Sequence, residues 1–204
     1  RVWDTIHETR PMTGFSHGVA GIAYALVRLS AATGDDRYRE AAMEALEYER
    51  DSYDAGRNNW PYYQSGGQPP EFVDQWCHGR TGVGLGRLGA ARYVESERLE
   101  TDIDRALDGI LDAGLAPLDH LCCGNAGRAE FLLEAADHRD RATGEARRLS
   151  GGLLDRESET GSYRVSSGVE RWTDPTLFHG LAGIGYTLLR VTADESLPCL
   201  LLWE

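Results

Sequence analysis

The sequence has no apolar run long enough to cross a membrane: its longest strongly apolar stretch, Cys199 to Trp203, falls far short of the roughly 20 residues a spanning helix needs. It also lacks a signal-peptide pattern. The first residues, RVWDTIHE, carry no initiator methionine, so we expect a cytoplasmic protein read here as a piece of a longer chain. Positive charge is scarce, with 21 Lys and Arg against 33 Asp and Glu and a net charge of −12. That balance argues against nucleic acid or an anionic membrane surface as the main partner. Cysteine is scarce too. Four cysteines without a secretion signal suit metal binding or catalysis better than a disulfide framework. What is present in quantity is apolar residues, 41% of 204, enough for one sizeable core, and we read residues 1–204 as one domain.

Three of the four thiols stand at the head of glycine-flanked blocks, Cys77 in WCHG and the pair Cys122 and Cys123 in LCCG. Thiols presented in this way can bind zinc, which takes sulfur or imidazole ligands in four-coordinate geometry; three protein ligands leave a fourth position open for water or substrate, the arrangement of a catalytic site. Adjacent cysteines usually point in different directions, so both can reach one metal only from a turn. Gly124 makes such a turn feasible.

The two blocks belong to an internal repeat of four: SHGVAGIAYALVRL from Ser16, CHGRTGVGLGRL from Cys77, CCGNAGRAEFLLEA from Cys122 and FHGLAGIGYTLLRV from Phe178. Their second residues, His17, His78, Cys123 and His179, are equivalent positions, and each interval between blocks can hold two helices with their connections. In every block the shared G-x-x-G makes a tight turn into an apolar helical run. Those runs are apolar on more than one side, which suits helices enclosed by others. Between them the chain reads as amphipathic helix: Ile103, Ala106, Leu107, Ile110 and Leu111 form one stripe. Arg37 to Tyr53 behaves likewise, after a Gly34-Asp35-Asp36 break that can cap it. Enclosed and amphipathic helices in alternation predict an all-α protein in concentric layers. The segment from Asn58 to Phe72 is too rich in Pro and Gly for helix and is expected to lie over the end that carries Cys77. Only Ser162 to Trp172 has some strand character, and nothing is built on it.

With these blocks and the ending LPCLLLWE, the sequence resembles the lanthionine synthetase C-like family, most of all the C-terminal cyclase domain of class II lanthipeptide synthetases, over essentially its whole length. The resemblance implies an α/α toroid, a double ring of helices, with Zn²⁺ at one end and closure of thioether rings in a dehydrated bacterial precursor peptide. The complete family domain has about twice this many helices, so the chain corresponds to its C-terminal half, a partial toroid whose partner is the N-terminal remainder of the synthetase. Family motifs place the zinc ligands on Cys77, Cys122 and Cys123. The reaction adds a peptide cysteine thiol to dehydroalanine or dehydrobutyrine. A free thiol has a pKa of roughly 8.5, and zinc coordination deprotonates it near neutral pH. Addition leaves an enolate that needs a proton, a task suited to imidazole. The resemblance carries that role to His17, with His78 beside Cys77 orienting the bound sulfur or helping to manage protons. His179 is left outside the site. The family's assisting acidic residue lies in the half not covered here, and Val73 and Asp74 stand where relatives often have an arginine.

Plainer roles compete for each residue. His17 could serve as a structural hydrogen-bonding group, and Asp119 and His120 are expected to organise the loop backbone. Trp76 and the group Trp60, Tyr62 and Tyr63 read as packing or peptide-contact surface, and Cys199 as a small buried hydrophobe. At the level of the whole chain, one alternative is a non-catalytic zinc-stabilised helical scaffold with four protein ligands. A third is an α/α-toroid glycosidase, which would carry paired carboxylates on its inner loops. No acidic pair recurs at the G-x-x-G turns.

Overall fold

The computed structural model describes residues 1–3, 10–63, 68–166, 174–193 and 197–204. They form two compact units, residues 1–110 and 111–204. Among the described residues there are α-helices, one short 3-10 turn and isolated β-bridges, but no strand. No helix among them is long and apolar enough to cross a membrane.

In the first unit α1 (Val19–Thr33), α2 (Asp36–Asp51) and α3 (Arg80–Ala91) are followed by α4 (Glu97–Leu111). The α1–α2 corner forms where the sequence marks it. Gly34 takes φ 72 and returns its N–H to the Ser30 carbonyl, and the Asp35 side chain accepts the N–H of Arg37 to start α2. α1 packs on both α2 and α3. Val19, Ala23 and Val27 meet Ala42, Ala45, Leu46, Ala90 and Leu99 in a core built largely of small residues, which lets the helices approach closely. The predicted stripe of α4 is buried throughout, from Ile103 to Leu111. Between α2 and α3 the described residues of the Pro/Gly-rich segment carry only the bridges Asp54 with Asn59, Tyr62 with Glu71 and Asp74 with Gly79.

In the second unit α5 (Asn125–Glu134) packs on α6 (Arg141–Thr160) and on α7 (Leu181–Thr192), and α6 also meets α7. A 3-10 turn at Leu200–Leu202 closes it, with Leu201 and Leu202 fully buried. From residue 167 onward, the stretch read as having strand character lies outside the described residues until 174.

The repeat helices differ in how far they are enclosed. α3 is buried at every residue from Thr81 to Ala90, as expected. α1 and α7 are not: Ile22 and Leu29 on α1 and Leu189 on α7 face solvent, Leu189 at 60% exposure. Their additional apolar side finds no cover in the described chain, which corrects the expectation of enclosure for these two.

Candidate functional site

Each repeat helix begins at its first glycine, with Gly18, Gly79, Gly124 and Gly180 as N-caps, so His17, His78, Cys123 and His179 all stand immediately before a helix N-terminus. The second glycine explains why the turn repeats. A Cβ on Gly21, Gly82, Gly127 or Gly183 would lie about 2 Å from the carbonyl oxygen of Phe15, Trp76, Leu121 or Leu177 respectively. In all four, that carbonyl belongs to the residue six positions earlier, and only glycine admits the contact. The chain thus folds back over the first turn of its helix and holds the intervening side chains at the end where the helix dipole is positive, a place that favours thiolate and other anions.

In the first unit the structure brings His17 and His78 together, their rings stacked with centroids 5.2 Å apart and planes 18° apart. His17 is exposed. His78 is buried, and its Nδ1 lies 3.4 Å from the Thr13 carbonyl oxygen. Tyr62, from the Pro/Gly-rich segment, also stacks on His78, with centroids 4.0 Å apart. Thr13 donates its hydroxyl to the Pro61 carbonyl at 2.5 Å, which joins that segment to the loop before α1. Cys77 is buried, with Sγ 3.3 Å from Gln75 Oε1. Asp74, noted for standing in place of an arginine, accepts from Arg80 Nε at 2.5 Å and from Asn59 Nδ2 at 3.1 Å, so its charge serves the turn into α3.

In the second unit Cys122 and Cys123 lie in a turn, and their Sγ atoms are 3.4 Å apart. Adjacent thiols that would diverge in a strand therefore converge here. Two backbone N–H groups of the turn are bonded: that of Cys122 donates to the Phe178 carbonyl at 2.9 Å and that of Cys123 to the His120 side chain, at Nδ1, at 3.3 Å. Asp119 organises the loop as expected, accepting from Asn125 Nδ2, Arg156 Nη1 and the Arg164 N–H. His120 also meets His179 edge to face at 5.1 Å. Burial, opposed by the neighbouring Cys123, holds the His120 imidazole below its ordinary pKa. Cys199 lies apart from this turn in the sequence, buried with Sγ 3.9 Å from Glu130 Oε2, and burial pushes its thiol far up.

The donor chemistry fits zinc. None of the four cysteines forms a disulfide. Two sulfurs bound to one tetrahedral zinc at about 2.3 Å each would be about 3.8 Å apart, close to the separation of the Cys122 and Cys123 sulfurs.

Comparison with known proteins agrees with these local features. The family model described as "Lanthionine synthetase C-like protein" matches residues 3–202. Among solved structures the chain is similar to nisin cyclase, with a TM-score of 0.69 at 17% identity over 95% of this chain and 50% of that one. The likeness shows the fold, an all-α protein of the α/α-toroid class, of which this chain spans about half the matched protein's length.

Proposed function

This chain belongs to the lanthionine synthetase C-like family, and we propose from that premise that it supplies the metal-binding part of a peptide cyclase that closes lanthionine and methyllanthionine rings. Its substrate is a bacterial precursor peptide already dehydrated at Ser or Thr. Cys77, Cys122 and Cys123 hold one zinc ion, with a position left for the peptide thiol. When bound, the zinc supplies a Lewis acid that keeps that thiol deprotonated near neutral pH. In support, two of the three sulfurs already converge from one turn, and Cys77 occupies the corresponding place in the preceding repeat.

The chemistry left to the protein is proton transfer. The peptide thiolate attacks the β-carbon of the dehydro residue and forms the C–S bond, while the π pair moves onto the α-carbon and its carbonyl as an enolate. A proton then returns to the α-carbon, so that overall a hydrogen has passed from sulfur to carbon. His17 delivers that proton. It is exposed to an incoming peptide and is stacked on His78, which holds its ring in place. The pairing of these imidazoles next to Cys77 is the observation that carries the reading. A purely structural zinc site has no use for an exposed histidine held in this way.

The remainder of the domain is provided by an N-terminal partner segment of the synthetase. Ile22, Leu29 and Leu189 give it apolar surface to cover, and the chain spans half of nisin cyclase. A zinc site built from thiols that form no disulfide calls for a reducing compartment, which supports the cytoplasm. The deciding experiment is ring closure of a dehydrated peptide by the synthetase that carries this chain, followed as loss of free thiol with and without zinc. Closure that proceeds equally well after the metal is removed would exclude this role for the three cysteines.

A further inference from the structure

A buried charge network in the first unit has no part in the reaction described above. Glu49, at the end of α2, Arg87, in the middle of α3, and Asp102, on α4, are all fully buried. Arg87 Nη1 donates to Glu49 Oε2 at 2.8 Å and its Nε to Asp102 Oδ2 at 3.1 Å. The other Asp102 oxygen lies 3.6 Å from Arg50 Nε and 3.4 Å from Arg105 Nη1. Three charges taken out of water in this way cost more than a well-packed apolar trio would, so mere stability does not account for them.

The network also reaches the loop before α1. Glu49 Oε1 accepts the backbone N–H of Gly14 at 2.8 Å. Gly14 lies three residues before His17, and its φ of +99 is open to glycine. It also rests directly on the metal-site turn of its unit: a Cβ there would fall 2.4 Å from the Cys77 carbonyl oxygen and 2.8 Å from the His78 Cα. Glu49 therefore fixes, through Gly14, the part of the His17 loop that rests on the Cys77–His78 backbone. Burial works against the charge on Glu49, and Arg87 and the Gly14 N–H work for it. We propose that Glu49 is a positioning residue, which acts through Gly14 to set His17 against His78, and that Arg87 offsets the cost of its buried charge. This rests on the reading of His17 as the proton donor.

Two double variants separate positioning from plain stability, because both remove the buried charge pair and Asp102 keeps Arg50 and Arg105. In Glu49→Gln/Arg87→Met the amide oxygen can still accept from Gly14; in Glu49→Leu/Arg87→Met nothing can. At matched zinc content in the whole synthetase, the Gln variant should close rings within about threefold of the parent, whereas the Leu variant should lose about ten- to a hundredfold in kcat with little change in KM. NMR supplies a readout independent of activity. The Gly14 amide should be protected from exchange in the parent and the Gln variant but not in the Leu variant, and the His17 ring resonances should move only in the latter. A folded Leu variant with parental kcat overturns the inference. So does a folded Gln variant as impaired as the Leu one, or a parent whose Gly14 amide exchanges freely, and these two results decide it even if the Leu variant does not fold. A synthetase with no cyclase activity would refute the functional reading alone, since the Gly14 and His17 signals would still report on positioning.

Discussion

Tyr62 lies over His78 with ring centroids 4.0 Å apart and planes 23° apart, so a residue from the Pro/Gly-rich segment holds the imidazole next to Cys77. The backbone of Tyr62 is itself fixed, exchanging two hydrogen bonds with Glu71 at 2.7 and 2.9 Å. Stacked rings of this kind contribute about 0.5–1.5 kcal/mol beyond the area they bury. Tyr62→Phe should therefore leave stability and the His78 ring resonances nearly unchanged. Tyr62→Ala should lower stability by at least that amount in urea titration and shift those resonances. Equal behaviour of the two variants would mean that the stack does not hold His78.

Metal content tests the ligand set. The protein should hold about one zinc per chain, and Cys77→Ala, Cys122→Ala and Cys123→Ala should each lose most of it. Cys199→Ala should retain it, since that thiol is buried beside Glu130. Unchanged zinc in any of the first three variants would remove that residue from the set.

Proton transfer and metal binding should separate at His17. His17→Asn is expected to keep its zinc yet slow ring closure on the order of 10²- to 10⁴-fold, the usual contribution of a general acid or base. Ring closure at the parent rate would transfer the proton step to another group, with His78 the next candidate. Loss of zinc together with activity would show that the two roles are not separate.

The start of α2 offers a check on the local fold. Asp35 accepts the Arg37 N–H at 3.0 Å and pairs with the Arg37 guanidinium, and these bonds hold its carboxyl below the usual carboxylate pKa. A folded-state pKa below the unfolded one gives stability that is present above the unfolded value and lost as the pH falls through the folded one. Asp35→Ala should thus lower the melting temperature at neutral pH, and the difference from the parent should shrink under strongly acidic conditions. A difference that does not change with pH would assign the effect to something other than the carboxylate.

Much of this site is legible in the residues because its grammar is local. G-x-x-G specifies a turn in which the second glycine touches a carbonyl six residues back, so the four turns, and the side chains they present, follow from the sequence alone. The helices between them follow from apolar spacing, and the corner at Gly34 and Asp35 from backbone and capping preferences. The convergence of Cys122 and Cys123 needs the turn that Gly124 permits, but that turn is also held by the distant Phe178 carbonyl.

Tertiary structure alone decided which distant residues stabilise these turns. Glu49 meets Gly14 across 35 residues and Arg87 across 38, and Tyr62 reaches His78 from a segment whose composition indicates only that it is not helical. Arg87 within GVGLGRLGA signals that a charge in an enclosed helix requires a partner, but not which one. Periodicity likewise could not show that α1 and α7 leave Ile22, Leu29 and Leu189 uncovered. Helical pattern and capping are settled by neighbours within about one turn, whereas ion pairing, ring stacking and burial depend on which surfaces the chain brings together once its helices have packed.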